Sequence, residues 1–230
     1  MKFEDAIEPC QDKKLDELLT SDVYRENLEF WEKAWAPVKA AYTKLPSLSY
    51  LSSIPETLKA NKAETVLDLG CGTGWLSVYL SREGFSLTGV DISNHAIKLA
   101  REWADKEDLV IRFDVCDLAD LNYPDSSFDA VVGNSIFEHF PLMVTQTMVN
   151  RIRRILVPGG TFIGCFDKVG GGPGQYFELP DKTHVYTDKE RKGMLLRYYT
   201  NEELKEIFKP WRIETLAETD TGTRVLTART

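Results

Sequence analysis

The sequence has little cysteine, little histidine and no surplus of positive charge, and each shortage removes a class of protein. The four cysteines, Cys10, Cys71, Cys116 and Cys165, are widely scattered and form no CxxC pair. That spacing supports neither a disulfide framework nor a zinc site, and a reducing cytoplasm is the simplest setting. The three histidines, His95, His139 and His184, stand at no ligand spacing from cysteine or carboxylate, so no metal is expected. Net charge is −8 with only short mixed basic clusters, whereas a nucleic-acid binder carries a basic balance or stripe. Nucleic acid is therefore not an expected partner. There is no run of roughly 18 apolar residues, so no membrane-spanning helix is expected. The first ten residues put acids where a secretory leader needs an apolar run, so no leader is expected either. No internal repeat and no low-complexity tract occurs.

What is present suits an ordinary globular protein. A chain of 230 residues, 43% of them hydrophobic, can bury a full core as one domain with an elaboration. Residues 1–62 read as a helical extension or lid. Leu15, Leu18 and Leu19 form one apolar stripe there. Phe30, Trp31, Ala34, Trp35 and Val38 form another at helical spacing. From residue 63 the pattern changes to alternating strands and helices. Strands are expected at 65–69, 86–90, 109–113, 128–132 and 161–166. Ser93 is placed to cap the helix that carries Ala96, Ile97, Ala100, Trp103 and Ala104. A helix through Met148, Val149, Ile152 and Ile155 is expected to stop at Pro158-Gly159-Gly160. This alternation means a mostly parallel sheet with helices on both faces. Residues 167–199 break the rhythm and read as an insertion. Thr200 and Glu203 form a capping box, and 212–216 with 223–227 read as a closing hairpin.

The chemistry concentrates at Asp68-Leu69-Gly70-Cys71-Gly72-Thr73-Gly74-Trp75. Glycines here let the backbone turn sharply after a strand and let a ligand approach without a Cβ in the way. Open α/β sheets bind ligands at this edge. The dinucleotide pattern G-x-G-x-x-G fails from either start, because Trp75 and Ser77 stand where its last glycine belongs. Asp68 just ahead of the loop repels a pyrophosphate and attracts a sulfonium or ammonium group. Asp91, at the end of the second strand, is placed to accept from ribose hydroxyls. Asp117, after the third, is placed to accept from an adenine amino group.

Asp68 to Trp75 resembles motif I of the class I S-adenosylmethionine-dependent methyltransferases. Asp91 is similar to that family's acidic strand-2 position, and Cys116-Asp117-Leu118 to its adenine segment. Phe128-Asp129-Ala130-Val131-Val132 with Phe137-Glu138-His139-Phe140 resembles its motif IV region. Leu156-Val157-Pro158-Gly159-Gly160 resembles its turn before strand 5. The resemblance runs from about residue 64 to residue 166. It implies an α/β fold: a doubly wound, mostly parallel seven-stranded sheet with an antiparallel last strand. It implies S-adenosyl-L-methionine as cofactor and S-adenosyl-L-homocysteine as product. It further implies that Asp68 and Gly70 hold the methionine moiety, with Cys71, Gly72 and Gly74 as loop wall. Asp91 would bind the ribose, Ile92 pack on adenine, Asp117 and Leu118 bracket adenine, and Asn134 line the floor. Trp75 is a further candidate on the methionine side, with helix packing as the competing role.

The expected function is methyl transfer to a small-molecule acceptor by in-line displacement, with O, N, S or C as the nucleophile. Small size and the lack of a basic surface disfavour a nucleic-acid substrate. The segment Gly133-Asn134-Ser135-Ile136 also lacks the Asn/Asp-Pro-Pro-aromatic motif that is associated in this superfamily with amino groups in nucleic acids and some protein amides. Protein methylation, a non-catalytic S-adenosylmethionine-binding protein and an NAD-dependent oxidoreductase are the alternatives. His139 is the candidate base, against a packing role. Trp31, Trp35, Arg197 and Tyr198 are candidate acceptor contacts, against roles in core or solvated surface. Monomer and homodimer both fit.

Overall fold

The computed structural model describes residues 9–41, 44–170 and 174–230. Most of the first ten residues, read above as lacking a leader, therefore lie outside the described residues, as do 171–173 within the insertion. A seven-stranded sheet runs in the order β3-β2-β1-β4-β5-β10-β9. Its strands are β1 (Thr65–Leu69), β2 (Ser86–Asp91), β3 (Arg112–Val115), β4 (Phe128–Asn134), β5 (Leu156–Phe166), β9 (Arg212–Glu218) and β10 (Arg224–Arg229). The pairs among β1 to β5 are parallel, while β10 runs antiparallel to both β5 and β9. This is the doubly wound sheet with reversed last strand that the sequence implied. The central strand β1 reads Val-Leu-Asp-Leu over 66–69 with every residue buried, as a strand covered on both faces must. The order reverses direction beside β1, and the crevice beyond the carboxyl ends of β1 and β4 is where such sheets hold ligands.

Helices α4 (Trp75–Arg82), α5 (Asn94–Lys106) and α6 (Leu142–Ile155) connect these strands. Ser93 caps α5 by accepting from Ala96 N at 3.2 Å. The helix α7 (Asn201–Ile207) opens with the expected capping box of Thr200 and Glu203.

Several strand boundaries differ from the sequence reading, two of them by three residues or more. The third strand starts at Arg112, not at 109, because the turn that closes α5 takes up Asp108 and Leu109. Asp108 adopts φ +53° and Leu109 N bonds back to Ala104 O, closing the helix with a left-handed turn. Leu109 and Ile111 pack on buried helix residues instead of pairing in the ladder. At the other boundary, Pro158-Gly159-Gly160 is not what stops α6. The helix ends at Ile155, and Leu156 already pairs with Phe128, so those residues lie within the irregular start of β5.

The N-terminal part contributes α1 (Pro9–Leu19), α2 (Asp22–Ala34) and α3 (Ser53–Ala60). Helix α2 ends before Val38, and its inward face is Tyr24, Asn27, Leu28 and Trp31, at the i, i+3, i+4, i+7 spacing of one stripe. Phe30 lies off that stripe. The insertion forms a second, three-stranded sheet of β6 (Tyr176–Glu178), β7 (His184–Tyr186) and β8 (Leu195–Leu196). Asn27 joins these parts. Its Nδ2 donates to His139 O at 3.2 Å and its Oδ1 accepts from Leu195 N at 3.0 Å.

Candidate functional site

The chain leaves β1 through three left-handed glycines, with φ of +63° at Gly70, +53° at Gly72 and +86° at Gly74. A Cβ on Gly72 would stand 2.8 Å from the Trp35 ring. One on Gly74 would stand 2.9 Å from Ala100 Cβ, which lets α4 and α5 close on each other. The loop is pinned to β2, since Cys71 N donates to Val90 O at 2.9 Å and Gly72 N to Asp91 Oδ2 at 2.9 Å.

A cavity with about 850 Å³ of open space lies over this loop. Gly70, Cys71, Gly72 and Trp75 form one wall, and Asp91 and Ile92 follow from the end of β2. Asp117 and Leu118 come from the turn after β3, and Asn134 with His139 from beyond β4. Trp31 and Trp35 close it from α2 and the turn after it. Twelve of the residues singled out in the sequence thus meet in one place. Asn27, Leu28, Ser135, Ile136 and Phe140 join them without having been singled out. Tyr24, Asn27 and Leu28 share a helical face with Trp31, a spacing that was visible but is polar at two of its positions.

Four candidates sit elsewhere. Gly74 is the N-cap of α4 and faces α5. Asp68 lies behind the loop, 2% exposed, with Oδ2 accepting from Ser77 Oγ at 2.6 Å. Burial, reinforced by the neighbouring Asp91, pushes its carboxyl up to about 7, against the pull of the Ser77 hydrogen bonds. Arg197 does not reach the cavity. Its guanidinium donates to Asp181 O at 2.9 Å and Glu203 Oε1 at 2.8 Å and lies over the Tyr199 ring, which leaves it 2% exposed. It ties the insertion to α7. Tyr198 turns its ring toward His184, at 6.5 Å between centroids.

Inside the cavity the carboxylates are already held. Asp91 Oδ1 accepts from Ser93 N at 2.9 Å, and burial raises its carboxyl despite the bonds from Ser93 and Gly72. Asp117 Oδ1 accepts from Ala119 N at 2.9 Å and from Tyr24 OH at 2.9 Å. A carboxylate offers about four lone-pair sites, so both acids keep acceptor capacity. Tyr50 OH donates to Asn134 Oδ1 at 2.7 Å, which leaves the Asn134 amide nitrogen as a donor. His139 sits against Trp31 with ring centroids 4.2 Å apart, and its Nδ1 lies 3.4 Å from Leu195 O. Burial drives its imidazole down to about 4, so it is neutral near pH 7 and a weak proton acceptor. Among the described residues, two aspartates and no lysine or arginine line the cavity.

The sheet order, the reversed edge hairpin and a glycine loop flanked by acids after β2 and β3 define the Rossmann-like methyltransferase class. Residues 66–160 match the family model described as a methyltransferase domain. Over that stretch, 95 of the 230 residues, the chain is similar to a methyltransferase domain. It is similar to the 2-heptyl-1-hydroxyquinolin-4(1H)-one methyltransferase of Mycobacteroides abscessus, at 28% identity over 141 residues, 60% of each chain. It is similar to the ubiquinone biosynthesis O-methyltransferase of Coxiella burnetii (strain RSA 331 / Henzerling II) as well. There the identity is 30% over 146 residues, 60% of this chain and 62% of that protein. The match therefore spans about 60% of the length of these curated relatives. Among solved structures, the PH0226 protein from Pyrococcus horikoshii OT3 superposes with a TM-score of 0.68 at 25% identity. That alignment covers 85% of this chain and 98% of the other.

Proposed function

We propose that this protein transfers a methyl group from S-adenosylmethionine to a hydroxyl of a small, planar acceptor. The observation that carries the reading is the charge of the cavity: Asp91 and Asp117 line it, Asp68 lies beneath its glycine loop, and among the described residues no lysine or arginine lines it. Such a wall attracts a sulfonium and an ammonium and repels a pyrophosphate. The residues fit the cofactor. Gly70 and Gly72, which pack against Ile136 and Trp35, would border the methionine moiety, while Asp91 would accept from the ribose. Ile92 and Leu118 would flank the adenine, Asp117 would accept from its amino group, and Asn134 would donate from the floor.

When bound, S-adenosylmethionine supplies an electrophilic methyl carbon on a leaving thioether. The chain supplies alignment and exclusion of water. Trp31, Trp35, Phe140 and Ile136 give the cavity an apolar lining suited to a flat acceptor. The choice of oxygen leans on the two relatives, one named for a hydroxyquinolinone and one for O-methylation in ubiquinone biosynthesis. A reducing compartment such as the cytoplasm suits the unpaired Cys71, Cys116 and Cys165.

Calorimetry with S-adenosylmethionine, S-adenosylhomocysteine and NAD tests the cofactor. Micromolar binding of the first two and none of NAD is expected; tight NAD binding alone overturns the reading. Release of S-adenosylhomocysteine in the presence of a 1-hydroxyquinolin-4-one then separates an enzyme from a silent binder.

A further inference from the structure

The proton of a hydroxyl acceptor needs a destination, and His139 is poorly suited to take it. Protonating His139 would place a new positive charge where burial already opposes one. A carboxylate reverses that sign, because the proton extinguishes a negative charge as the reaction extinguishes the sulfonium. Among the described residues, one carboxylate stands next to the cavity wall at the end of β5, bonded through a serine that forms part of that wall.

Ser135 lines the cavity and holds φ +48°, a left-handed conformation that costs a non-glycine residue about 1 kcal/mol or more. The turn is fixed by Ser135 N donating to Cys165 O at 2.8 Å. In this turn Ser135 Oγ reaches Asp167 Oδ1 at 2.8 Å. Asp167 is itself clamped. Its N donates to Glu138 Oε1 at 2.7 Å, and its carbonyl accepts from the Arg224 guanidinium. Glu138 is 1% exposed, and its Oε2 is buried with no hydrogen-bond partner among the described residues. Asp167 thus lies amid Glu138, His139, Tyr50, Cys165 and Arg224, and the strained serine is its link to the cavity.

We propose, on the reading of the cavity given above, that Ser135 contacts the acceptor hydroxyl and Asp167, a positioning residue, orients Ser135 Oγ and receives the proton. The acceptor oxygen forms its bond to the methyl carbon as the carbon–sulfur bond breaks with its electron pair going to sulfur. The hydroxyl proton passes to Ser135 Oγ, whose own proton passes to the Asp167 carboxylate. The step consumes one sulfonium and one carboxylate and yields a thioether and a carboxylic acid, so the two charges cancel.

The first test uses no turnover. 4-Nitrophenol is bound to protein saturated with S-adenosylhomocysteine, and its ionisation is followed by absorbance across pH. The phenol donates toward Ser135 and the phenolate meets the Asp167 charge. Its apparent pKa in the wild type is therefore expected to exceed that in Asp167→Asn by about one unit or more. The second test compares methylation of unsubstituted phenol, which keeps its proton at pH 8, with that of thiophenol, which is already largely ionised there. Asp167→Asn and Ser135→Gly are expected to lower the phenol-to-thiophenol rate ratio about 10²-fold. Ser135→Gly also suits the left-handed backbone, so it removes the hydroxyl without unfolding the turn.

Equal nitrophenol pKa values, an unchanged rate ratio, or a wild type that binds cofactor but neither binds 4-nitrophenol nor methylates phenol would overturn the proposal. Absence of S-adenosylmethionine binding would instead overturn the methyltransferase reading, which separates the two failures.

Discussion

Cofactor affinity is expected to fall steeply with acid, through Asp68. This carboxyl is 2% exposed beneath the glycine loop, and burial pushes it up to about 7 in the free protein. A cofactor ammonium above the loop favours the ionised form, so binding draws a proton off Asp68. Affinity is then full well above pH 7 and declines as pH falls through 7. If the bound-state carboxyl titrates well below 5, the loss from pH 8 is about tenfold at pH 6 and about 100-fold at pH 5. That slope is near 1.4 kcal/mol per unit. Calorimetry with S-adenosylhomocysteine suits the measurement, because its amino group stays charged over this range. Buffers of different ionisation enthalpy count the proton released. Asp68→Asn should bind weakly at pH 8 and lose most of the slope, with Asp91 supplying what remains. A wild-type affinity that is flat from pH 5 to pH 8, with no proton released, would show that Asp68 does not face the ligand's positive charge.

Stability of the cofactor-free protein carries the complementary signature. Asp68 and Glu138, raised by burial to about 7 and about 8, stabilise fully below their unfolded values and lose that contribution as pH rises through 7 and 8. His139, lowered to about 4, acts oppositely, contributing above 6.5 and losing it as pH falls through 4. From pH 5 to pH 8 the three together cost about 4 kcal/mol. Urea denaturation should show that decline, and Glu138→Gln should reduce it to about 1 kcal/mol or less. Gly74→Ala should cost about 2 kcal/mol or more, since its Cβ would meet Ala100 Cβ at 2.9 Å on a backbone at φ +86°. Gly84→Ala, at φ +94° with nothing within 4 Å, should cost only about 1 kcal/mol. Equal urea midpoints for the two would remove the α4–α5 contact from the explanation.

The parts of the fold that a local reading captured are those whose cause is local. The parallel strands announce themselves as short β-rich runs punctuated by glycine. The caps at Ser93 and Thr200 are read from side chains that bond a backbone three residues away. The errors come where two local signals overlap. Residues 109–113 are apolar enough for a strand, but Leu109 is consumed by the turn that ends α5. At 158–160 the proline and glycines suggest a stop, although α6 has already ended at Ile155.

In the site, the residues legible beforehand are those that a strand end presents: the glycine loop, Asp91, Asp117, Asn134 and His139. What the sequence hid is the set of long-range ties from α2. Tyr24 reaches Asp117 across 93 residues, and Asn27 reaches His139 across 112 and Leu195 across 168. No periodicity encodes such partners, because each depends on how the helix lies over the sheet. These ties also change the meaning of the candidates. Arg197 has the charge and aromatic neighbours of a substrate contact, yet its donors are taken by Asp181 and Glu203. Ser135 has no distinguishing sequence feature, yet its left-handed turn brings its hydroxyl to Asp167 across 32 residues. Residue type therefore nominates a group for chemistry, and only the competition for its hydrogen bonds decides whether it remains available. By that criterion Arg197 is committed to structure, while Ser135 stands at the cavity wall with a carboxylate behind it.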